Sequence, residues 1–289
     1  MDKFSFSVVI PVYNEEQHLK RFLEDLTRLI SGFNQEAEII VVDDGSADKS
    51  FEIASSAPGV RVLRHDINLG YGSAIKTGIL ASNFDKILII DADGTYPIEK
   101  ISEFISESGE YDMVVGARIG QKVHQSPVKK LAKWPINQLA NYLVGFRIPD
   151  LNSGLRIFDK SLALKYFRIL PNGFSFTTNI TLAFLSDGYR VKYIPIDYHK
   201  RVGVSKVRPF RDAINYFVLV MRMILFYNPL KFFIPLSILF FLASAASFLY
   251  DIRFLKDLTE KSVILFVSFV QIAILGFLAD LINKRGSGQ

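Results

Sequence analysis

The chain of 289 residues contains no cysteine. That excludes a disulfide framework, a thiolate metal site, a cysteine nucleophile and an iron–sulfur cluster. Histidine is scarce, with four in all and none clustered, so a zinc site is rejected as well. No Walker A loop and no GxGxxG stretch is present, which argues against a P-loop kinase and a dinucleotide enzyme. The composition is neither disordered nor collagen-like. Apolar residues, by contrast, make up 49% of the chain, and mean hydropathy is +0.23. Charged residues still reach 22%, too many for membrane helices throughout. By length the chain is one large domain or two small ones, with a net charge of +5 to explain.

The apolar residues are concentrated near the C-terminus. Phe232 to Tyr250 is a run of 19 residues without a charge, and Ser262 to Ala279 a second run of 18. At 1.5 Å per residue each helix would reach about 27–28 Å, close to the roughly 30 Å hydrocarbon core. The 11 residues between them, Asp251 to Lys261, hold three bases and three acids. The pattern predicts a transmembrane hairpin; the competing reading is a pair of buried helices in a soluble core. Met1 to Ser7 does not read as a signal peptide. Lys231 precedes the first run and Lys284 and Arg285 follow the second, so the distribution of bases predicts both termini and the N-terminal domain on the cytoplasmic side.

Positive charge is localised too. Arg190 to Lys231 carries nine Lys/Arg against two Asp, and Arg118 to Trp134 carries five Lys/Arg and no acid. Both segments read as surfaces for anionic lipid or phosphate. Nucleic acid competes as a partner, but basic patches beside membrane spans favour lipid, and no nucleic acid is expected. Phe210 to Leu230 reads as a helix lying on the membrane, with Arg211, Asn215 and Arg222 near one face; an ordinary core helix is the alternative.

In the N-terminal part, short β-branched runs alternate with helical stretches. Strands are predicted at Ser7–Val12, Glu38–Val42, Val60–Arg64, Lys86–Ile90 and Met113–Gly116, with helices at Asn14–Ile30, Asp48–Ser55 and Gly72–Ser82. Such alternation means βαβ units and a largely parallel sheet, which binds ligands at the carboxyl ends of its strands. Those ends carry Pro11-Val12-Tyr13-Asn14-Glu15, Asp43-Asp44-Gly45-Ser46 and Asp91-Ala92-Asp93-Gly94. Asp91 and Asp93, two apart at a strand end, can present both carboxylates to one side, an oxygen donor set suited to Mg²⁺ or Mn²⁺ with phosphates completing the shell. A strand-end turn is the plainer reading of the same spacing.

PVYNE, VVDDGS, the Asn68-Leu69-Gly70 turn and DAD together resemble the family 2 glycosyltransferases of the nucleotide-sugar-binding GT-A fold. Gly116-Ala117-Arg118, the segment Leu151 to Phe158 (LNSGLRIF) and the segment His199 to Lys206 (HKRVGVSK) narrow the likeness to dolichyl- and polyprenyl-phosphate sugar synthases. The resemblance spans about residues 5–230, and the hairpin fits membrane-anchored members. It implies an α/β catalytic domain over 1–208, an amphipathic interfacial helix over 209–230, a transmembrane hairpin over 231–283 and a tail over 284–289. The implied reaction is inverting transfer of a hexose from a GDP-mannose or UDP-glucose type donor to polyprenyl or dolichyl phosphate. Homo-oligomerisation is left open.

The same resemblance implies site roles. Pro11, Tyr13, Glu15 and Asp43 would hold the nucleoside, since a carboxylate accepts base N–H or ribose O–H bonds; either Asp43 or Asp44 is otherwise a turn former. Asp91 and Asp93 would hold the cation on the donor diphosphate. Relatives often continue as DADLQ or DADLS, whereas this chain has Gly94-Thr95, which leaves Thr95 a weak third ligand. Arg118 would meet the acceptor phosphate. Arg156, in an apolar stretch, either pairs internally with an Asp or reaches the acceptor phosphate. Arg201 and Lys206 would grip the diphosphate or the lipid phosphate, or anchor to headgroups; His199 reads as structural. Asp150 would act as a base or orient a sugar hydroxyl, although an already ionised phosphate nucleophile needs no strong base. The alternatives are a family 2 transferase with another lipid or glycan acceptor, and a non-catalytic protein that binds lipid-linked sugar.

Overall fold

A computed structural model describes residues 5–119, 138, 141–142, 145, 147–173, 175–198, 218, 221–222 and 225–286, the side chains of 284–286 excepted. The chain divides into two compact units, 1–213 and 214–289.

Unit one is built on a seven-stranded sheet with strand order β3-β2-β1-β4-β6-β5-β7. The strands are β1 Phe6–Val12, β2 Ala37–Asp43, β3 Val60–Arg64, β4 Lys86–Ile89, β5 Met113–Ala117, β6 Arg156–Asp159 and β7 Val191–Pro195. Helices α1 (Glu16–Ser31), α2 (Ser50–Ser56), α3 (Tyr71–Ala81), α4 (Ile101–Glu107), α5 (Lys160–Lys165) and α6 (Phe176–Ser186) connect or follow them. Every residue of β1 is apolar or small and is buried, as expected where helices cover both faces. Helix α1 shows the matching half of the pattern: Leu19, Phe22, Leu23, Leu26 and Ile30 are buried, while Arg21 and Asp25 pair in solvent on the opposite side. On the other face α3 lies so close to β1 that a Cβ at Gly78 would come within 2.3 Å of Val9 Cγ1.

The expected parallel strands are present to within two residues at each end. Two further strands were not anticipated. β6 runs antiparallel to both neighbours, with Ile89 and Val115 opposite Arg156. Its register sets Lys86 against Asp159, and their 2.7 Å ion pair is a favourable cross-strand partnership. The consequence for the site is topological. Because β6 is reversed, its first residue lies beside the carboxyl ends of β4 and β5, so the segment before it, 150–155, arrives at the same rim as the acidic loops.

Unit two contains α7 (Leu230–Tyr250), a π-helical turn over Asp251–Leu255 and α8 (Glu260–Gly286). Leu230–Leu255 and Glu260–Asn283 are each long and apolar enough to cross a membrane. They extend beyond the charge-free runs, because Asp251, Arg253 and Glu260 lie in helical turns rather than in a long loop. Ile238, Leu239, Leu242, Ile264, Phe277 and Ile282 stand exposed, the reverse of a soluble core pair. Most of the proposed interfacial helix falls outside the described residues.

Candidate active site

The first part of the rim is two loops locked together by main-chain and side-chain bonds. The Asp44 amide donates to the Val12 carbonyl at 2.8 Å. Asn14 adopts a left-handed conformation at φ 54°, from which its Oδ1 accepts the Ala47 amide at 2.8 Å and its own amide donates to Ser46 Oγ at 3.0 Å. Asn tolerates this region better than most side chains. The Glu15 amide donates to Ser50 Oγ at 2.9 Å. Pro11 is buried at the end of β1, Tyr13 is exposed and Glu15 is half-buried.

Adjacent aspartates at the β2 end take different tasks. Asp44 accepts His65 Nδ1 at 2.7 Å and the Leu69 amide at 2.9 Å on one oxygen, and the Gly70 amide at 2.8 Å on the other. It is the turn former, and it fixes the entry to α3. Gly70 there has φ 101°, and a Cβ would come 2.5 Å from the Asn172 carbonyl. Asp43 is fully buried; its Oδ2 accepts the Ser46 amide and faces Arg64 Nε, both at 3.3 Å. Its Oδ1 is buried without a hydrogen-bond partner. A buried acceptor left open is costly in a native protein and calls for a partner.

At the β4 end, Asp91 Oδ1 accepts the Tyr71 hydroxyl at 2.7 Å. Asp93 Oδ1 accepts both the amide and the hydroxyl of Thr95, at 3.1 and 2.6 Å. Thr95 is buried and supports Asp93 from within the loop. Burial, followed by the charge of Asp93, pushes the Asp91 carboxyl up to about 6, against the Tyr71 hydroxyl and the distant charges of Arg118 and Arg156. A buried carboxyl raised by a neighbouring negative charge is the kind of arrangement that a cation would relieve. Among the described residues no group of three or more His, Cys, Asp or Glu could hold a metal alone. The backbone against which Asp91 rests was missed by sequence reasoning. A Cβ on Gly154 would lie 2.2 Å from Asp91 Oδ2 and 2.8 Å from Oδ1, so any side chain there would push the carboxylate aside. The Gly154 amide in turn donates to the Tyr96 hydroxyl at 2.6 Å. The NSG segment carried this signal in its glycine, but only the reversed strand reveals the contact.

At the β5 end, Arg118 and Asp150 form a two-pronged pair, with Nε on Oδ2 at 2.6 Å and Nη2 on Oδ1 at 2.8 Å. The Arg118 amide adds a third bond to the same carboxylate at 3.1 Å, and the guanidinium carbon lies 5.2 Å from the Tyr198 ring centre. Burial works against the Asp150 charge, but the Arg118 bonds and charge hold its carboxyl below the usual range. Burial likewise opposes the Arg118 charge, and the Asp150 carboxylate holds it above the ordinary arginine value. This corrects the expectation of Asp150 as a base: an ionised carboxylate gripped on both oxygens takes up a proton poorly. It orients Arg118.

Arg156 also needs correction. It is fully buried, pairs with no Asp among the described residues, and donates instead to the Ser153 and Thr177 carbonyls and to Thr181 Oγ1. It is a core residue and not an arm for the acceptor phosphate. His199, Arg201 and Lys206 lie outside the described residues.

Comparison with known proteins gives the same picture from another direction. Residues 7–167 match the family described as glycosyl transferase family 2, and residues 228–284 match the GtrB C-terminal hairpin. The chain is 32% identical over 215 residues to the dolichyl-phosphate hexose transferase of Haloferax volcanii, covering 73% of this chain and 91% of that protein. It is 35% identical over 161 residues to the undecaprenyl-phosphate 4-deoxy-4-formamido-L-arabinose transferase of Photorhabdus laumondii, covering 54% and 49%. Among solved structures, glucosyl-3-phosphoglycerate synthase of Mycobacterium tuberculosis with Mn²⁺, UDP-glucose and phosphoglyceric acid superposes with a TM-score of 0.60 at 18% identity, covering 76% of this chain and 79% of that one. Mannosyl-3-phosphoglycerate synthase of Rubrobacter xylanophilus gives 0.59 at 21%, covering 76% and 72%. These last likenesses establish a shared GT-A-like fold.

Proposed function

Since the chain belongs to glycosyl transferase family 2, we propose that it is a membrane-anchored, inverting enzyme that moves a hexose from a GDP-mannose or UDP-glucose type donor to polyprenyl or dolichyl phosphate. The observation that carries this reading is the pair Asp91 and Asp93 at the β4 end, Asp91 held by Tyr71 against the Gly154 backbone, on the rim that also holds Arg118. Two of the relatives are named for lipid-phosphate acceptors, which supports the acceptor class.

Each residue then has a task. The open Oδ1 of Asp43 accepts a base N–H or ribose O–H, beside Pro11, Tyr13 and Glu15. Asp91 and Asp93 would hold Mg²⁺ or Mn²⁺: two hard oxygen donors fit such a cation, and the bare Gly154 backbone leaves the Asp91 carboxylate room to lie where it does. A cation bound there supplies charge neutralisation for the departing nucleoside diphosphate. Arg118, its fork fixed by Asp150, orients the acceptor phosphate. That phosphate is already ionised near neutral pH, so no general base is required. Arg201 and Lys206 add positive charge for the diphosphate or lipid phosphate. Helices α7 and α8 lie in the bilayer, and the flanking bases put both termini on the cytoplasmic side.

The test is incubation of the full chain in detergent with Mn²⁺, labelled nucleotide sugars and a short polyprenyl phosphate. A labelled lipid-phosphate product is expected, absent in Asp93→Ala. No such product with any donor, or undiminished product from Asp93→Ala, overturns the reading; product only on a glycan acceptor assigns a different family 2 reaction.

A further inference from the structure

We propose that Arg156 is a positioning residue for the cation-binding carboxylate: through the Ser153 carbonyl it fixes the Gly154 backbone against which Asp91 lies. The proposal rests on the reading that Asp91 and Asp93 hold a divalent cation.

A fully buried arginine is expensive unless its donors are satisfied, and a carboxylate partner is the usual remedy. Among the described residues no carboxylate pairs with Arg156. Its bonds go to neutral acceptors. Nε and Nη2 both donate to the Ser153 carbonyl, the former at 3.2 Å. Nη1 donates to the Thr177 carbonyl at 3.0 Å and to Thr181 Oγ1 at 2.9 Å. The guanidinium therefore joins two pieces of chain, the first turns of α6 and the segment before β6. A second tie runs parallel to it, from Thr178 Oγ1 to Asn152 Oδ1 at 2.9 Å. Between them they fix residues 152–153 and hence the course of Gly154.

Gly154 transmits this placement. Its backbone lies so close to Asp91 that a Cβ would be 2.6 Å from the carboxyl carbon. Its amide also holds the Tyr96 hydroxyl, in the loop that follows Asp93. A shift of Ser153 by the size of a methyl group would thus move both sides of the carboxylate pair. The unpaired positive charge of Arg156 adds a second contribution, because β6 sets it opposite Ile89, two residues before Asp91. Within a poorly screened interior it counters the mutual repulsion of Asp91 and Asp93 before a cation arrives. Lysine would keep the charge but not the fork that reaches Ser153 and α6 together.

The experiment measures Mn²⁺ binding to the full chain in detergent, from the electron paramagnetic resonance of the free ion, with Mn²⁺ alone and with UDP or GDP added. Thermal unfolding of each variant is recorded alongside. Arg156→Lys and Gly154→Ala are expected to raise the Mn²⁺ dissociation constant roughly 10–100-fold, the range for residues that orient metal ligands, with cooperative unfolding near the wild-type temperature. Folded variants with wild-type Mn²⁺ affinity, when Asp93→Ala has lost it, overturn the proposal and leave the cation reading intact. Equal Mn²⁺ binding by wild type and Asp93→Ala overturns both. Should Arg156→Lys fail to fold, Gly154→Ala decides together with Thr181→Val, which removes one Arg156 bond and is expected to weaken binding less; unchanged affinity in both again overturns the proposal.

Discussion

Asp91 at the end of β4 and Asp251 at the turn of the hairpin are carboxylates drawn into protein interiors, and their surroundings differ in kind. Asp251 Oδ2 alone accepts the Thr259 amide at 2.9 Å, the Thr259 hydroxyl at 2.7 Å and the Ser262 hydroxyl at 2.6 Å. Ser262 Oγ, its proton given to Asp251, also lies 2.6 Å from Ser247 Oγ, a hydroxyl–hydroxyl bond that links the two helices. Asp91 receives the Tyr71 hydroxyl and faces the like charge of Asp93. A carboxylate surrounded by donors is a fastener. One held beside another carboxylate, with a glycine backbone against it, is kept in a state that a proton or a cation relieves. Burial alone does not separate the two roles; the balance of donors and like charge does.

The sharpest way to break this contrast is to neutralise each carboxylate in turn. Asp91→Asn keeps the shape and removes the charge; turnover of sugar to lipid phosphate is expected to fall by about 100-fold or more, as when charge stabilisation at a reacting centre is removed. Asp251→Asn should leave turnover within about twofold. Equal losses in the same radiolabel assay would mean that the two carboxylates are not different in kind.

Asp150 supplies the next largest effect and a third type of buried carboxylate, one neutralised by a single fork. Asp150→Asn frees Arg118 while keeping a neutral acceptor in place. The expected result is about a tenfold loss in kcat/KM for the lipid phosphate, from the weakened charge-assisted bonds. The acidic limb of the pH–rate profile should remain where it is. Complete loss of kcat together with disappearance of that limb would instead mark Asp150 as the proton acceptor.

The raised Asp91 carboxyl makes a pH-dependent prediction with a definite sign. A carboxyl that holds its proton more tightly when folded favours the folded, metal-free protein at low pH, and this contribution is lost as pH rises toward about 6. Above that pH Asp91 takes up its charge beside Asp93, and a cation restores what their repulsion removed. Mn²⁺ should therefore raise the melting temperature strongly at pH 7.5 and weakly at pH 5, the apparent affinity falling by about tenfold per pH unit as one proton displaces the ion. A Mn²⁺ shift independent of pH would show that Asp91 is not the group the ion meets.

Much of this rim could be read in advance because of how the sheet is made. β1, β2 and β4 are continuous apolar runs, so their ends, and the PVYNE, DDGS and DAD residues on them, declare themselves by pattern. β6 does not, since a four-residue strand, RIFD, opens with Arg and closes with Asp and shows no period. Without β6, Arg156 reads as a charge in an apolar stretch and Asp150 as a base or an orienter of a sugar hydroxyl. The division between Asp43 and Asp44 was equally hidden: neighbours in sequence, one holds amides 25 and 26 residues away, a long-range contact that local spacing cannot express.

The smallest effect expected is in the hairpin, and it tests the fastener half of the contrast. Ser262→Ala removes the hydroxyl that donates to Asp251 and bonds Ser247, while leaving Thr259 to satisfy the carboxylate. Losing one of several donors is a milder change than orphaning the acceptor, so thermal unfolding of the chain in detergent should shift only slightly downward. Asp251→Asn, which turns an acceptor of three bonds into a weaker one, should shift it further in the same direction. Adding Mn²⁺ should raise the melting temperature of both variants by as much as it raises the wild type, because the ion acts on the other carboxylate. If Ser262→Ala abolished the Mn²⁺ shift, the hairpin carboxylate would be serving the catalytic rim, and the distinction between a satisfied and a strained buried Asp would no longer divide structure from chemistry here.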